Sequence, residues 1–171
     1  TGLRHVVWSP LASDGAAAAS TQAFGHANLA RPRLDKADLV VGLGAEFLDR
    51  PDDGLERDFA TRRTPDQTGG VRMSRFIQLE GRLSLTGANA DRRLRVRDSH
   101  LGAVGAALAH ELVVVRQLGP LAADAAVISA LGPFAIDAVA SRVGVDPAAL
   151  KALAAELAAL LPGALLAGLR L

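Results

Sequence analysis

Ala37-Asp38-Leu39-Val40-Val41-Gly42-Leu43-Gly44 is a run of apolar and β-branched residues with a charge before it and a glycine after it. Being apolar on both faces, it has the pattern of a central strand in a parallel sheet whose two sides are covered by helices. Arg75-Phe76-Ile77-Gln78-Leu79-Glu80 reads as a second strand, and Arg93-Leu94-Arg95-Val96-Arg97 as a shorter, more exposed one. Between the first two lie a helix over 55–63 and a polar loop over 64–72 that holds Pro65 and Gly69-Gly70. Strands separated by helices imply a parallel sheet flanked by helices.

Working outward, Arg4-His5-Val6-Val7-Trp8 is a further strand that stops at Ser9-Pro10. Ser13 or Asp14 then caps an Ala-rich helix to about Phe24, and Gly25 ends it. Downstream, Asp98 or Ser99 caps a long helix over 100–118, with Leu101, Val104, Leu108 and Leu112 on one face. Three more helices follow, over 121–131, 134–143 and 147–161; Asp146 caps the last and Pro147 occupies its first position. The expected fold class is α/β, Rossmann-like, with a mostly parallel sheet and a helical C-terminal third. No repeat or low-complexity linker divides the chain, so residues 1–171 are expected to form one domain.

The chain has 171 residues, 50% of them apolar, and 19 basic against 18 acidic groups. That length supports a sizeable core, and a net charge of +1 argues against a dedicated nucleic-acid binder. Cysteine is absent, which excludes disulfides, thiolate zinc sites and cysteine-held iron–sulfur clusters within these residues. The chain opens at Thr1 and closes on a run, 165–171, that reads like a strand just beginning; both ends suit a piece of a larger protein. The apolar stretch 157–169 is short for a membrane span and is broken by Pro162-Gly163, so no direct span is expected.

Ligands of open parallel sheets sit beyond the carboxyl ends of the strands. There the sequence places Gly44-Ala45-Glu46-Phe47, Glu80-Gly81-Arg82-Leu83-Ser84 and Arg97-Asp98-Ser99. Gly44 offers close backbone approach, but no Gly-x-Gly-x-x-Gly fingerprint is present. Glu80 has two readings: a carboxylate for a guanine edge or ribose hydroxyl with Arg82 near a phosphate, or an ion pair with Arg82 or Arg97 worth about 0–1 kcal/mol if exposed. The four histidines lack metal-ligand spacing, and Ser84, Thr86 and Ser99 have no motif that places a base beside them. Eleven arginines against seven acids lie between Arg50 and Arg97, which suits a solvated surface, an acidic partner or phosphate recognition.

One order of motifs goes beyond a generic α/β pattern. Ala37-Asp38 through Phe47-Leu48 is followed by Arg57-Asp58-Phe59-Ala60-Thr61-Arg62-Arg63, then Met73 to Glu80, then Leu85-Thr86-Gly87-Ala88-Asn89-Ala90-Asp91-Arg92-Arg93-Leu94-Arg95-Val96. This resembles the molybdopterin oxidoreductase family, most of all its non-catalytic branch, the molybdopterin-like domain in the large iron–sulfur subunit of alternative complex III. Ala23-Phe24-Gly25, Leu34 to Asp38 and the Gly144-Val145-Asp146-Pro147 helix start are similar too.

Catalytic members of that family carry Gly-x-Asn-Pro, Asp-Pro-Arg and Pro-Gly-Thr-Asp where this chain has Gly44-Ala45-Glu46-Phe47, Leu79-Glu80-Gly81-Arg82 and Arg97-Asp98-Ser99-His100. Glu46 would repel a pyrophosphate unless Arg82 or a cation compensates it. The resemblance therefore implies a retained fold with a vestigial cofactor site at Gly44, Glu46, Glu80, Arg82 and Ser99, with no catalytic residue and no metal ligand. It implies a structural role in a membrane-associated respiratory complex that oxidises quinol, on the bacterial periplasmic side. Iron–sulfur clusters would lie elsewhere in the chain or complex, and the partners would be other subunits and the rest of its own chain. The alternative is a domain that binds molybdopterin guanine dinucleotide in an active molybdenum oxidoreductase, with Glu80 on the guanine and Gly44 and Ser99 on the phosphates.

Overall fold

A computed structural model describes residues 15–28, 31–49, 54–65, 73–160 and 164–167. The strand expected over 4–8, the caps Ser13 and Asp14, and loop residues 66–72 lie outside the described residues. The chain divides into two compact units, Thr1–Arg31 with Arg170–Leu171, and Pro32–Leu169. In the first, helix α1 (Gly15–Phe24) ends at Gly25, whose φ of 77° is a left-handed value that glycine adopts without strain. The Ser20 hydroxyl donates to the Asn28 carbonyl at 2.5 Å.

The second unit holds a four-stranded parallel sheet made of β1 (Leu39–Leu43), β2 (Arg75–Glu80), β3 (Arg92–Arg95) and β4 (Ala164–Ala167), in the order β3-β2-β1-β4. The central β1 is buried along its whole length, as its unbroken apolar run predicts. Alternation divides the core in two. Leu39, Val41, Leu43, Ile77 and Leu79 face one side and pack with α4 (Leu101–Ala109), α6 (Ile136–Val143) and α7 (Pro147–Leu160). Val40 and Phe76 face the other, against Leu34, Phe47 and Phe59 of α2 (Leu55–Thr61). There Phe47, Phe59 and Phe76 meet with centroids 5.3–5.6 Å apart, mostly edge-on, the geometry that aromatic quadrupoles favour.

The helix expected over 100–118 is instead three pieces. A 3₁₀ turn, Asp98–His100, leads into α4, and a π-helical turn, His110–Val115, follows it. Leu101, Val104 and Leu108 are buried on the predicted face and Leu112 packs against it. The π-turn ends in three consecutive β-branched valines, Val113 to Val115, residues that lower α-helix propensity slightly. Neither Asp98 nor Ser99 caps the helix: the Asp98 carboxylate accepts from the Gly81 amide at 3.1 Å. The π-turn closes with Leu118 N donating to Leu112 O at 2.9 Å, which forces Gln117 to φ 53°. Gln117→Gly is expected to raise stability by about 0.5–1 kcal/mol, read as a higher midpoint in thermal unfolding.

The C-terminal third is helical, as expected, with α5 (Ala125–Leu131), α6 and α7. Asp146 accepts from Ala148 N at 2.9 Å and so starts α7 as the sequence predicts. Ala125–Val143 is long and apolar enough by composition to cross a membrane, with mean hydropathy 1.4. It is interrupted, however, by a 3₁₀ turn at Gly132–Phe134 and extended Ala135, and its α6 half buries Ile136, Val139 and Ala140 in the core.

Candidate functional site at the carboxyl end of the sheet

Strand order β3-β2-β1-β4 puts the reversal of connection between β1 and β4, and the loops after β1, β2 and β3 open at the same end of the sheet. On β2 the alternation that places Phe76 among the aromatics also turns Gln78 and Glu80 toward that same face. The face thus changes from aromatic to polar as it approaches the carboxyl end.

Glu80 is 3% exposed. Its carboxylate accepts from Arg93 Nε at 2.6 Å, Ser84 Oγ at 2.6 Å, Ser84 N at 3.3 Å and Gln78 Nε2 at 3.3 Å. The expected partner, Arg82 or Arg97, is therefore replaced by Arg93. The reason is register: Arg93, next to Leu94 on β3, points to the face where Glu80 lies, whereas the β2 loop carries Arg82 outward. Arg82 pairs with Glu46, the compensation the sequence suggested for that acid. Burial works hardest against ionisation of Glu80, but bonds from Ser84, Arg93 and Gln78 outweigh it and hold the carboxyl below its ordinary value.

Gly44 takes φ 64° and donates its amide to Leu79 O at 2.8 Å, so its conformational freedom serves the turn that leaves β1. Two residues further back, Gly42 leaves room for the Gln78 amide, which a methyl at Gly42 would overlap. Gln78 Nε2 donates to Ala45 O at 2.8 Å, and this ties β2 to the loop after β1. Ser99 stands apart: it is exposed in the 3₁₀ turn, and no hydrogen bond of its side chain is present among the described residues. Of the five sequence candidates, Glu46 and Arg82 meet directly, Glu80 is linked through Gln78 to Ala45, the neighbour of Gly44, and Ser99 is outside the cluster.

Sequence reasoning missed Gln78, Arg93 and Asp49. The first was legible as the middle of the alternating Phe76-Gln78-Glu80 row; the other two depend on long-range pairing. Asp49 accepts from Leu85 N, Thr86 N and Thr86 Oγ1 at 2.7–3.0 Å, and Leu48 N donates to the same Thr86 hydroxyl at 3.0 Å. These bonds fasten the loop after β1 to the short helix α3 (Leu85–Ala88). Ser84 is the cap of that helix, accepting from Gly87 N at 2.9 Å while donating to Glu80. It is buried and its hydroxyl is doubly engaged, so the arrangement is that of a brace rather than of a nucleophile beside a base.

On the far side of α3, Asp91 accepts two bonds from Arg63, at 2.7 and 2.8 Å, and one from Phe76 N at 2.7 Å. The Arg63 bonds, with help from the Phe76 amide and nearby Arg75, hold its carboxyl below the ordinary value despite burial. Asp49 is lowered too, burial being outweighed by the Thr86 and Leu85 donors. Carboxylates depressed in the fold stabilise it above their unfolded pKa of about 4, and that contribution is lost as pH falls through the folded values. Urea unfolding is therefore expected to give constant stability from pH 7 to about 5 and a decline below about 4. Asp91→Asn should be less stable at pH 7 and flatter in acid.

No family model matches the chain, and no curated protein matches it. Among solved structures it is similar to acetylene hydratase from Pelobacter acetylenicus, with TM-score 0.55 and 13% identity over 78% of this chain and 18% of that chain. This chain thus spans less than a fifth of that protein. At such identity the likeness is one of architecture: the parallel α/β fold described here is shared with a part of acetylene hydratase.

Proposed function

We propose that this chain is a structural, molybdenum-free domain of molybdopterin-oxidoreductase type within a membrane-associated, quinol-oxidising respiratory complex on the bacterial periplasmic side. Its partners would be the neighbouring iron–sulfur domains and subunits, which carry the electrons. The motif order from Ala37 to Val96 supports this reading, and the fold shared with a part of acetylene hydratase agrees with it.

The observation that carries it is the enclosure of Glu80. With Arg93, Ser84 and Gln78 around it, that carboxylate has no free face to offer a guanine edge. Arg82, the cation on the loop after β2, is engaged by Glu46, itself a repulsive charge for phosphate. The residues present do not fit a pterin guanine dinucleotide. The test is elemental analysis of the native complex for molybdenum, tungsten and iron. Iron without molybdenum or tungsten is expected; stoichiometric molybdenum or tungsten bound to this chain would overturn the proposal.

A further inference from the structure

The loop after β2 alternates. Ser84, Thr86 and Gly87 turn inward to Glu80 and Asp49, and this forces Leu83 and Leu85 outward, 65% and 56% exposed. Two large leucines held largely in water forgo the gain of burial, and their loop is no floppy tip. It is held by the Glu80 and Asp49 bonds, so the leucines are presented by a fixed support.

The adjoining turn carries positive charge. The Gly81 amide binds the Asp98 carboxylate at 3.1 Å and Val96 N binds Glu80 O at 3.0 Å, which brings the turn after β3 against the loop after β2. Arg95 and Arg97 are exposed there, and among the described residues neither has a carboxylate partner. Arg82, 62% exposed and already paired with Glu46, borders the same surface. Isolated exposed leucines are ordinary, but a braced apolar pair on one loop, with two exposed guanidinium groups on the turn bonded to that loop, is complementary to one kind of surface.

We propose that this face, formed by residues 81–85 and 95–99, docks an extended polypeptide segment in which apolar side chains alternate with carboxylates. The apolar groups cover Leu83 and Leu85, and the acids pair with Arg95 and Arg97 in the fork geometry that guanidinium favours. Docking of this kind deepens the scaffold reading and rests on it only for the source of the segment, a neighbouring domain or subunit. A metal analysis and a peptide titration fail independently.

The experiment is an NMR titration of the isotope-labelled chain with a synthetic peptide alternating Leu and Glu, with a Leu–Lys peptide and GTP as controls. The Leu–Glu peptide is expected to shift the amides of 81–85 and 95–99, more weakly at high salt, and the controls to leave them in place. Arg95→Glu with Arg97→Glu should weaken that binding about tenfold or more. Leu83→Ser with Leu85→Ser should do the same by removing the apolar contact. All four positions are exposed, so the thermal midpoint of each variant reports whether the fold is intact. Absence of shifts, shifts mapping elsewhere, equal response to the Leu–Lys peptide, or a response of these amides to GTP instead would overturn the proposal.

Discussion

Gly87→Ala is expected to destabilise the protein by about 3 kcal/mol, measured as the change in unfolding free energy from urea titration at pH 7. In an open helix the same substitution stabilises by up to about 1 kcal/mol, because alanine has the higher helix propensity. At Gly87 the sign reverses. A methyl there would overlap the Glu80 carboxylate. That carboxylate has little room to retreat, since Arg93, Ser84 and Gln78 hold it from three directions. Moving it breaks bonds to a buried charge, and the unsatisfied groups bear the cost. Gly102 in α4 is the internal control, with open space around the site of an added methyl. Gly102→Ala is expected to stabilise by about 0.5–1 kcal/mol. Equal effects at the two glycines would show that the Glu80 cluster does not constrain α3.

Arg93→Ala is the second large effect, a loss of about 2–3 kcal/mol at pH 7. The variant leaves Glu80 buried with only neutral donors, Ser84 and Gln78, to oppose the loss of hydration. The figure is set below that of a fully buried pair because Arg93 is partly open to water, which screens its contribution. The pH dependence carries the diagnostic sign. In the native protein Glu80 lies below its ordinary pKa and contributes stability above about pH 4 that acid removes. Without Arg93 one of the groups that offset burial is gone and the carboxyl rises from its native position, so the variant's deficit should be smaller in acid, below about pH 4, than at pH 7. Glu80→Gln in the Arg93→Ala background should recover part of the loss, because it removes the stranded charge and keeps a group that can bond Ser84. A pH-independent difference would mean that Arg93 acts through packing of its stem alone.

These two substitutions mark the limit of what could be read along the chain. Most of the elements were legible, though not the short helix α3 that Ser84 caps. The apolar run at 39–43 is a buried central strand, RFIQLE is its neighbour with the predicted bounds, and Asp146-Pro147 opens the last long helix. Each rests on local physics: side-chain alternation, β-branching, or a carboxylate next to free amides, all of which act over a few residues. The long helix after Asp98 differs in its details because Asp98 has a competing donor, the Gly81 amide on another loop, and because its last turns are π-helical.

The candidate site divides in the same way. Its residue types and its end of the sheet follow from the order of strands and loops, and even the inward row Phe76-Gln78-Glu80 is written in the period of two. Which cation neutralises Glu80 is not. Arg82 is near in sequence, but the β2 loop carries it out to Glu46; Arg93 is thirteen positions away, but the β2–β3 register brings it alongside. Local propensities set the direction of a strand and the alternation of its faces. The pairing of charges is set by strand register and loop path, which are settled when the two faces of the sheet pack against their separate cores. For that reason a motif that reads as a nucleotide-binding edge along the chain folds into a closed polar brace.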